Sequence, residues 1–267
     1  MPSPRRWLFH QDGAADGARN MAVDAALLRH ASRTGHAVWR VYGWTSPALS
    51  FGRNETVVGR FDVDSIASAG FDPVRRPTGG RALLHSREVT YSVGMPLATD
   101  VSWRVAYGFV NAILVDALQT MGVDARLADA SASGETGATR PTGALCFALP
   151  SAGEIMVGGA KLVGSSVWRD EGAYLQHGSL LLHDDQDRIA EAALVALPAT
   201  PPAAALASLP GFSDVSDAEL TARTVSSFVN ALSRRGDVTA FTADASMLAD
   251  VARAEDRFRR PEWLWRR

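Results

Sequence analysis

The 267-residue chain has one cysteine, Cys146, so it can form no internal disulfide and no cysteine-rich zinc cage. No apolar run approaches the ~18 consecutive residues that a membrane span needs. Residues 1–11 include Arg5 and Arg6 but lack an apolar core, so no secretory leader is expected there. Positive charge is not in surplus either. Lys and Arg number 27 against 29 Asp and Glu, for a net charge of −2, which excludes the basic stripe of an extended nucleic-acid footprint. There is no internal repeat. These absences point to a cytoplasmic protein with no membrane and no nucleic-acid partner. Cys146 is then either a buried, inert thiol or a reactive one.

What is present is ordinary for a globular chain: 46% apolar and 21% charged residues. A chain this long can bury roughly three quarters of its unfolded surface, so it needs no disulfide or metal to stay folded.

Apolar spacing predicts a helix over Met21–His30, capped by Asn20 and followed by Gly35. Strands are expected at Val38–Tyr42, Ala48–Phe51, Phe71–Arg76, Ala82–His85 and Glu88–Met95, with a short helix over Val63–Ala69. In the last of these strands Val89, Tyr91 and Val93 alternate with Thr90 and Ser92. Ser102 caps a second long helix that ends at Gly122, and Asp129–Thr142 reads as a loop. Short strands follow around Glu154–Val157, Lys161–Trp168 and Ala173–Leu182. Leu197–Pro210, with four prolines, reads as an irregular crossing. Ser216 and Glu219 form a capping box before a helix that stops at Gly236, and a last helix over Ala243–Arg259 halts at Pro261. Strands and helices without βαβ alternation predict an α+β fold, with mixed, largely antiparallel sheets flanked by helices.

Four segments carry possible chemistry. In Arg75-Arg76-Pro77-Thr78-Gly79-Gly80-Arg81, paired glycines can bring backbone amides close to a ligand, although paired glycines also make plain turns. Gly158-Gly159-Ala160-Lys161-Leu162-Val163-Gly164-Ser165 is not a phosphate-binding loop, but its lysine stands among small residues. In Gln176-His177-Gly178-Ser179, a histidine and a serine share one face of a strand. The fourth is Cys146 itself, which becomes a nucleophile if a nearby cation stabilises its thiolate.

Taken in order, these segments resemble the lipoate–protein ligase and octanoyltransferase superfamily, related in fold to biotin–protein ligases. The resemblance runs from Asn20-Met21-Ala22-Val23-Asp24 through Arg40-Val41-Tyr42-Gly43-Trp44 and the Arg75–Ala82 segment with His85. It continues to Thr90-Tyr91-Ser92, the Lys161–Ser165 segment and Gln176-His177-Gly178-Ser179, and ends faintly at Arg257-Phe258 with Glu262-Trp263. One departure is Gly153 before Glu154-Ile155, where the cysteine-dependent members often carry an aromatic.

The resemblance implies a single catalytic domain of biotin/lipoate ligase type over residues 1–267, with 198–267 as a helical tail packed on it. It also implies transfer of an octanoyl or lipoyl group to one lysine of a lipoyl domain. Cys146 in front of the Lys161 segment matches the cysteine-dependent octanoyltransferases, with Cys146 as nucleophile and Lys161 stabilising the oxyanion. Arg76, Thr78, Gly79, Gly80, Arg81, His85, Gly164, Ser165, His177 and Gly178 are then expected to contact substrate, with no metal and no cofactor. The expected partners are octanoyl-acyl carrier protein and lipoyl-domain proteins, namely glycine cleavage H protein or a 2-oxoacid dehydrogenase E2. Arg75, Arg76, Arg81 and Arg87 are either docking groups for the acidic carrier or internally paired. Three alternatives stay open: an ATP-dependent lipoate–protein ligase using Mg-ATP through lipoyl-AMP, a transfer between lipoyl domains through the same thiol, and a non-catalytic acyl-binding module.

Overall fold

The computed structural model describes residues 4–128, 145–147, 153–170 and 172–266; the expected loop Asp129–Thr142 falls outside them. The chain opens with β1 (Arg6–Ala15), α1 (Gly17–Thr34), β2 (Ala37–Trp44), β3 (Ala48–Phe51), α2 (Val63–Ser68), β4 (Asp72–Arg75) and β5 (Leu83–His85). Then come β6 (Glu88–Pro96), α3 (Trp103–Thr120), β7 (Arg126–Leu127), β8 (Ile155–Val157), β9 (Ala160–Asp170) and β10 (Ala173–Leu181). The C-terminal part holds α4 (Asp217–Ser233), β11 (Asp237–Ala240), α5 (Ala245–Phe258) and α6 (Pro261–Leu264).

Two sheets result. The larger runs β11-β1-β2-β6-β10-β9-β8-β7, parallel between β11, β1 and β2 and antiparallel from β2 onward. The smaller has β3 between parallel β4 and antiparallel β5. This is the mixed, largely antiparallel α+β architecture that the pattern predicts.

The alternation in β6 decides which side carries what. Val89, Tyr91 and Val93 join Trp7 and Trp39 in an apolar layer sealed by α3 (Val110, Ile113, Leu114) and α4 (Leu220, Phe228, Leu232). The opposite face is covered by α1, which is itself covered by α5 through Met247, Val251 and Phe258. Because α1 lies between a sheet and a helix, polar residues on it (Asn20, Asp24, His30) are buried as well. A buried polar group must find partners, and Asn20 and Asp24 do so in internal networks.

Three expectations need correction. The cap of α1 is Asp16, whose side chain accepts from Arg19 N at 2.8 Å, so the helix starts one turn early. Asn20 is inside it, and its amide nitrogen bridges the Ala15 and Gly43 carbonyls instead. The helix expected to halt at Pro261 does so as α5, but it is not the last, since Pro261 begins α6, where the first helical position needs no backbone donor. The segment after residue 198 is not purely helical. Its β11 adds a parallel strand beside β1, and neither strand shows clean alternation in sequence.

Candidate active site

The site forms where the N-terminal half of α1, the loop after β4, and the adjoining strands β9 and β10 meet. A cavity of ≈ 320 Å³ there is lined by Met21, Tyr42, Arg76, Leu83, His85, Thr90, Cys146, Gly164, Ser165, Ser166, His177, Gly178 and Ser179. Gly164 on β9 and Gly178 on β10 both line it, Gly164 opposite Ser179 and Gly178 opposite Ser165. A Cβ on Gly178 would stand 2.5 Å from the Gly164 oxygen and 2.8 Å from the Tyr91 ring, so only glycine fits.

One wall carries the thiol. Cys146 is half-buried, and its backbone nitrogen donates to Ala82 O at 3.1 Å. Lys161 Nζ sits 4.0 Å from Cys146 Sγ, donates to Cys146 O at 2.9 Å and to Glu154 Oε1 at 2.7 Å, and lies 4.9 Å over the Phe147 ring. Lys161 and Glu154 are both buried, so the pair is held in low dielectric with little choice of position. The three N–H donors of Lys161 have three partners in reach, the Cys146 carbonyl, the Glu154 carboxylate and, as the longest contact, the Cys146 sulfur.

The opposite wall is a saturated polar network. His177 on β10 places Nδ1 2.9 Å from Asp24 Oδ2 and Nε2 2.6 Å from Thr78 Oγ1. Asp24 also accepts from Arg40 at 2.8 Å and from the Tyr42 hydroxyl at 3.0 Å. Burial alone would raise the Asp24 carboxyl, but the hydrogen bond from His177 and the Arg40 charge hold it below the usual range. Burial keeps His177 below the ordinary imidazole value despite the carboxylate behind it. His177 is therefore neutral at pH 7, with the Nδ1 proton on the Asp24 side and Nε2 accepting from Thr78.

The loop between the walls is clamped by Arg76. Its guanidinium donates to Gly79 O (3.1 Å), Ser50 O and Oγ (both 3.0 Å) and Arg81 O (2.7 Å). Gly80 has φ +96, and a Cβ there would stand 2.5 Å from Arg76 Nη2, so Arg76 and the second glycine require each other. Ser166 Oγ pins the turn from β9 by donating to Gly79 O at 2.7 Å. Arg76 is also near enough to Cys146 for a thiolate to raise its pKa, although burial has the larger and opposite effect.

Every residue expected at the site is drawn to this region, in different ways. Cys146, Arg76, His85, Gly164, Ser165, His177 and Gly178 line the cavity. Lys161 joins through Cys146, Thr78 through His177, and Gly79 and Gly80 through Ser166 and Arg76. Arg81 enters by its carbonyl, which accepts from Arg76. His85 bridges Glu88 (2.7 Å) and Ser50 (2.9 Å) and stacks on Trp44 at 4.0 Å. The docking idea fails for Arg75 and Arg76. Both are buried, and Arg75 donates to the carbonyls of Gly52, Glu55 and Leu264, so internal pairing is what the fold uses. Arg87 is half-exposed and paired with Asp185 at 2.6 Å.

Sequence reasoning gave no role to Asp24, Arg40, Tyr42, Glu154 or Ser166. A signal existed for three of them. Asp24 follows Asn20 by one helical turn, and Arg40 and Tyr42 share one strand face, all as polar positions on otherwise apolar elements. Where an aromatic is common before the Glu-aliphatic pair, Gly153 instead leaves room for the Tyr107 ring, which a Cβ would approach to 3.2 Å.

A thiol next to a lysine at the edge of a narrow cavity is an arrangement that nucleophilic acyl transfer could use. A profile of the lipoyl protein ligase A/B catalytic domain matches residues 16–210. Octanoyltransferase LipM of Kyrpidia tusciae is 40% identical over 191 residues, covering 68% of each chain. Octanoyltransferase LipM of Staphylococcus aureus is 30% identical over 98% of this chain and 99% of its own. Among solved structures, lipoate-protein ligase A bound with ATP superposes with a TM-score of 0.75 at 21% identity, covering 99% of both chains, which establishes the shared fold. The chain belongs to the lipoyl protein ligase A/B catalytic domain family.

Proposed function

We propose that this protein is an octanoyltransferase that moves an octanoyl group from acyl carrier protein to one lysine of a lipoyl domain, through a thioester on Cys146. The observation that carries this reading is the pairing of Cys146 with Lys161 at the edge of the cavity. An adenylate-forming ligase needs no thiol there. The similarity to proteins named octanoyltransferase LipM supports the same branch.

Cys146 attacks the octanoyl thioester and one thioester replaces another, so the step is nearly balanced in free energy. Lys161 meets the oxyanion that develops on the carbonyl; one such preorganised donor is worth about 3 kcal/mol in the transition state. The chain of the octanoyl group enters this cavity, whose lining includes the apolar side chains of Met21 and Leu83. The acceptor lysine then attacks, and formation of the amide drives the cycle without nucleotide. No cofactor is required by this scheme, and the substrates place it in the cytoplasm. No helix among the described residues is long and apolar enough to cross a membrane.

The test is acylation of an apo lipoyl domain, such as that of glycine cleavage H protein or a dehydrogenase E2, from octanoyl-acyl carrier protein without ATP. Product formation is expected. Product only with free octanoate and Mg-ATP would make the protein a ligase.

A further inference from the structure

The attacking lysine of a lipoyl domain arrives as an ammonium, with an ordinary pKa near ~10.4, and an ammonium has no lone pair with which to attack. Something must take a proton at neutral pH. Lys161 is poorly suited, because it is an ammonium held at 2.7 Å by the buried Glu154 carboxylate and already donates to Cys146 O. The other wall of the same cavity offers a neutral imidazole with a buried carboxylate behind it.

We infer that Thr78, His177 and Asp24 form the proton relay that deprotonates the acceptor lysine in the second half-reaction. This rests on the transferase reading above. The geometry is a continuous chain, Thr78 Oγ1 to His177 Nε2 at 2.6 Å and His177 Nδ1 to Asp24 Oδ2 at 2.9 Å. It begins just beneath the exposed Gly79-Gly80 turn and ends at a carboxylate with no solvent exposure. Arg40 and Tyr42 hold that carboxylate from β2, so it stays an anion in one orientation. The same logic orients the histidine in serine hydrolases.

The balance is as follows. The ammonium nitrogen passes one proton to Thr78 Oγ1 as Thr78 passes its own to His177 Nε2, which leaves an imidazolium against Asp24. The freed amine forms the C–N bond, the C–S bond to Cys146 breaks, and the second nitrogen proton goes to the departing sulfur. His177 later returns its proton to solvent. The charged and titratable groups facing His177 are Asp24 from α1, Arg40 and Tyr42 behind it on β2, Arg76 from the end of β4, and His85 from β5 with Glu88 from β6 behind it.

The experiment separates the two half-reactions by mass spectrometry, charging Cys146 from octanoyl-acyl carrier protein and then discharging it to an apo lipoyl domain. For His177→Gln the discharge step is expected to lose about 10²–10⁴-fold at pH 7, far more than charging, because general-base catalysis is worth that much. The deficit should shrink as pH approaches the lysine's own pKa. Hydroxylamine, whose nitrogen is already unprotonated at neutral pH, should discharge variant and parent alike. Thr78→Val should reproduce the defect and Thr78→Ser relieve it, which keeps the test open should His177→Gln not fold. Equal losses in charging and discharging, or an equal loss toward hydroxylamine, would overturn the relay. A parent enzyme that forms no thioester at Cys146 would instead bring down the transferase reading, and the relay with it.

Discussion

The two walls of the cavity do opposite things with buried charge. On the Cys146 side, a single lysine is shared among a thiol, a carbonyl and a carboxylate, and its contact with the sulfur is the longest of the three. On the Asp24 side, both oxygens of the carboxylate are bonded and the arrangement is closed around a neutral imidazole. The difference lies in the supporting elements. Asp24, Arg40 and His177 stand on α1 and on two interior strands of the large sheet, packed on both sides. Lys161 stands on β9, next to the short strands β8 and β7, and Cys146 lies on a segment outside both sheets that bonds to Ala82 O. A rigid wall suits orientation, and a wall near the sheet edge suits a nucleophile that must accept and release an acyl chain.

The comparison can be broken most severely at the sulfur. Cys146→Ala is expected to lower transfer by about 10⁴-fold or more while leaving the urea unfolding midpoint close to that of the parent. A variant with substantial residual transfer would reduce the thiol to packing. Lys161→Met should cost about 10²–10³-fold in turnover, and also stability, because Glu154 is left buried without its cation. Adding Glu154→Gln should recover the stability but not the turnover. Recovery of both would mean that Lys161 acts only as a structural counter-ion.

On the rigid wall, Asp24→Asn is expected to cost about 3–5 kcal/mol in equilibrium urea unfolding, since Arg40 is fully buried and loses a charged partner. Arg40 keeps Asp12 at 2.8 Å, so a cost near the lower bound is expected. An unchanged midpoint would show that Asp12 alone satisfies it. Gly178→Ala should cost roughly 1–3 kcal/mol through overpacking against Gly164 and Tyr91. It should also shorten the acyl chain the cavity accepts, measured by competition between octanoyl and hexanoyl donors. An unaltered preference would move the chain pocket elsewhere.

The smallest effect is on pH dependence. His177 and His30 are both buried, and burial holds both below the ordinary imidazole value. The unfolded chain therefore binds protons that the folded chain does not. Stability is fully present above the unfolded pKa of about 6.5 and is lost as pH falls below it toward the folded values. The urea midpoint should be lower at pH 5.5 than at 7.5, and His177→Gln should flatten that slope. A midpoint that rose on acidification would contradict the neutral assignment.

How legible the two walls were in the sequence also differs, for physical reasons. Cys146 and Lys161 are 15 residues apart and chemically distinctive, so they could be picked out as a pair. Asp24 and His177 are 153 positions apart and meet only because β6 pairs with both β2 and β10, a register that no local pattern encodes. Periodicity located most strands and all the long helices, since each buries one stripe or face. It failed where burial is two-sided, as at the start of α1, where Asn20 resembles a cap but serves an internal network. It also missed β1 and β11, whose exposure follows no simple alternation. Whether Arg75 and Arg76 dock a partner or pair internally stayed open, because a sequence cannot show that distant carbonyls, such as those of Ser50, Gly52 and Leu264, will meet the guanidinium donors.

The central claim is that Cys146 carries the acyl group. The most direct measurement is intact-protein mass spectrometry after mixing the enzyme with octanoyl-acyl carrier protein in the absence of ATP, followed by peptide mapping and a chase with apo lipoyl domain. The account predicts one octanoyl adduct that maps to Cys146 and moves to the lipoyl lysine. No adduct, with acylation of the lipoyl domain appearing only when octanoate and Mg-ATP are supplied, would contradict it and make the thiol incidental.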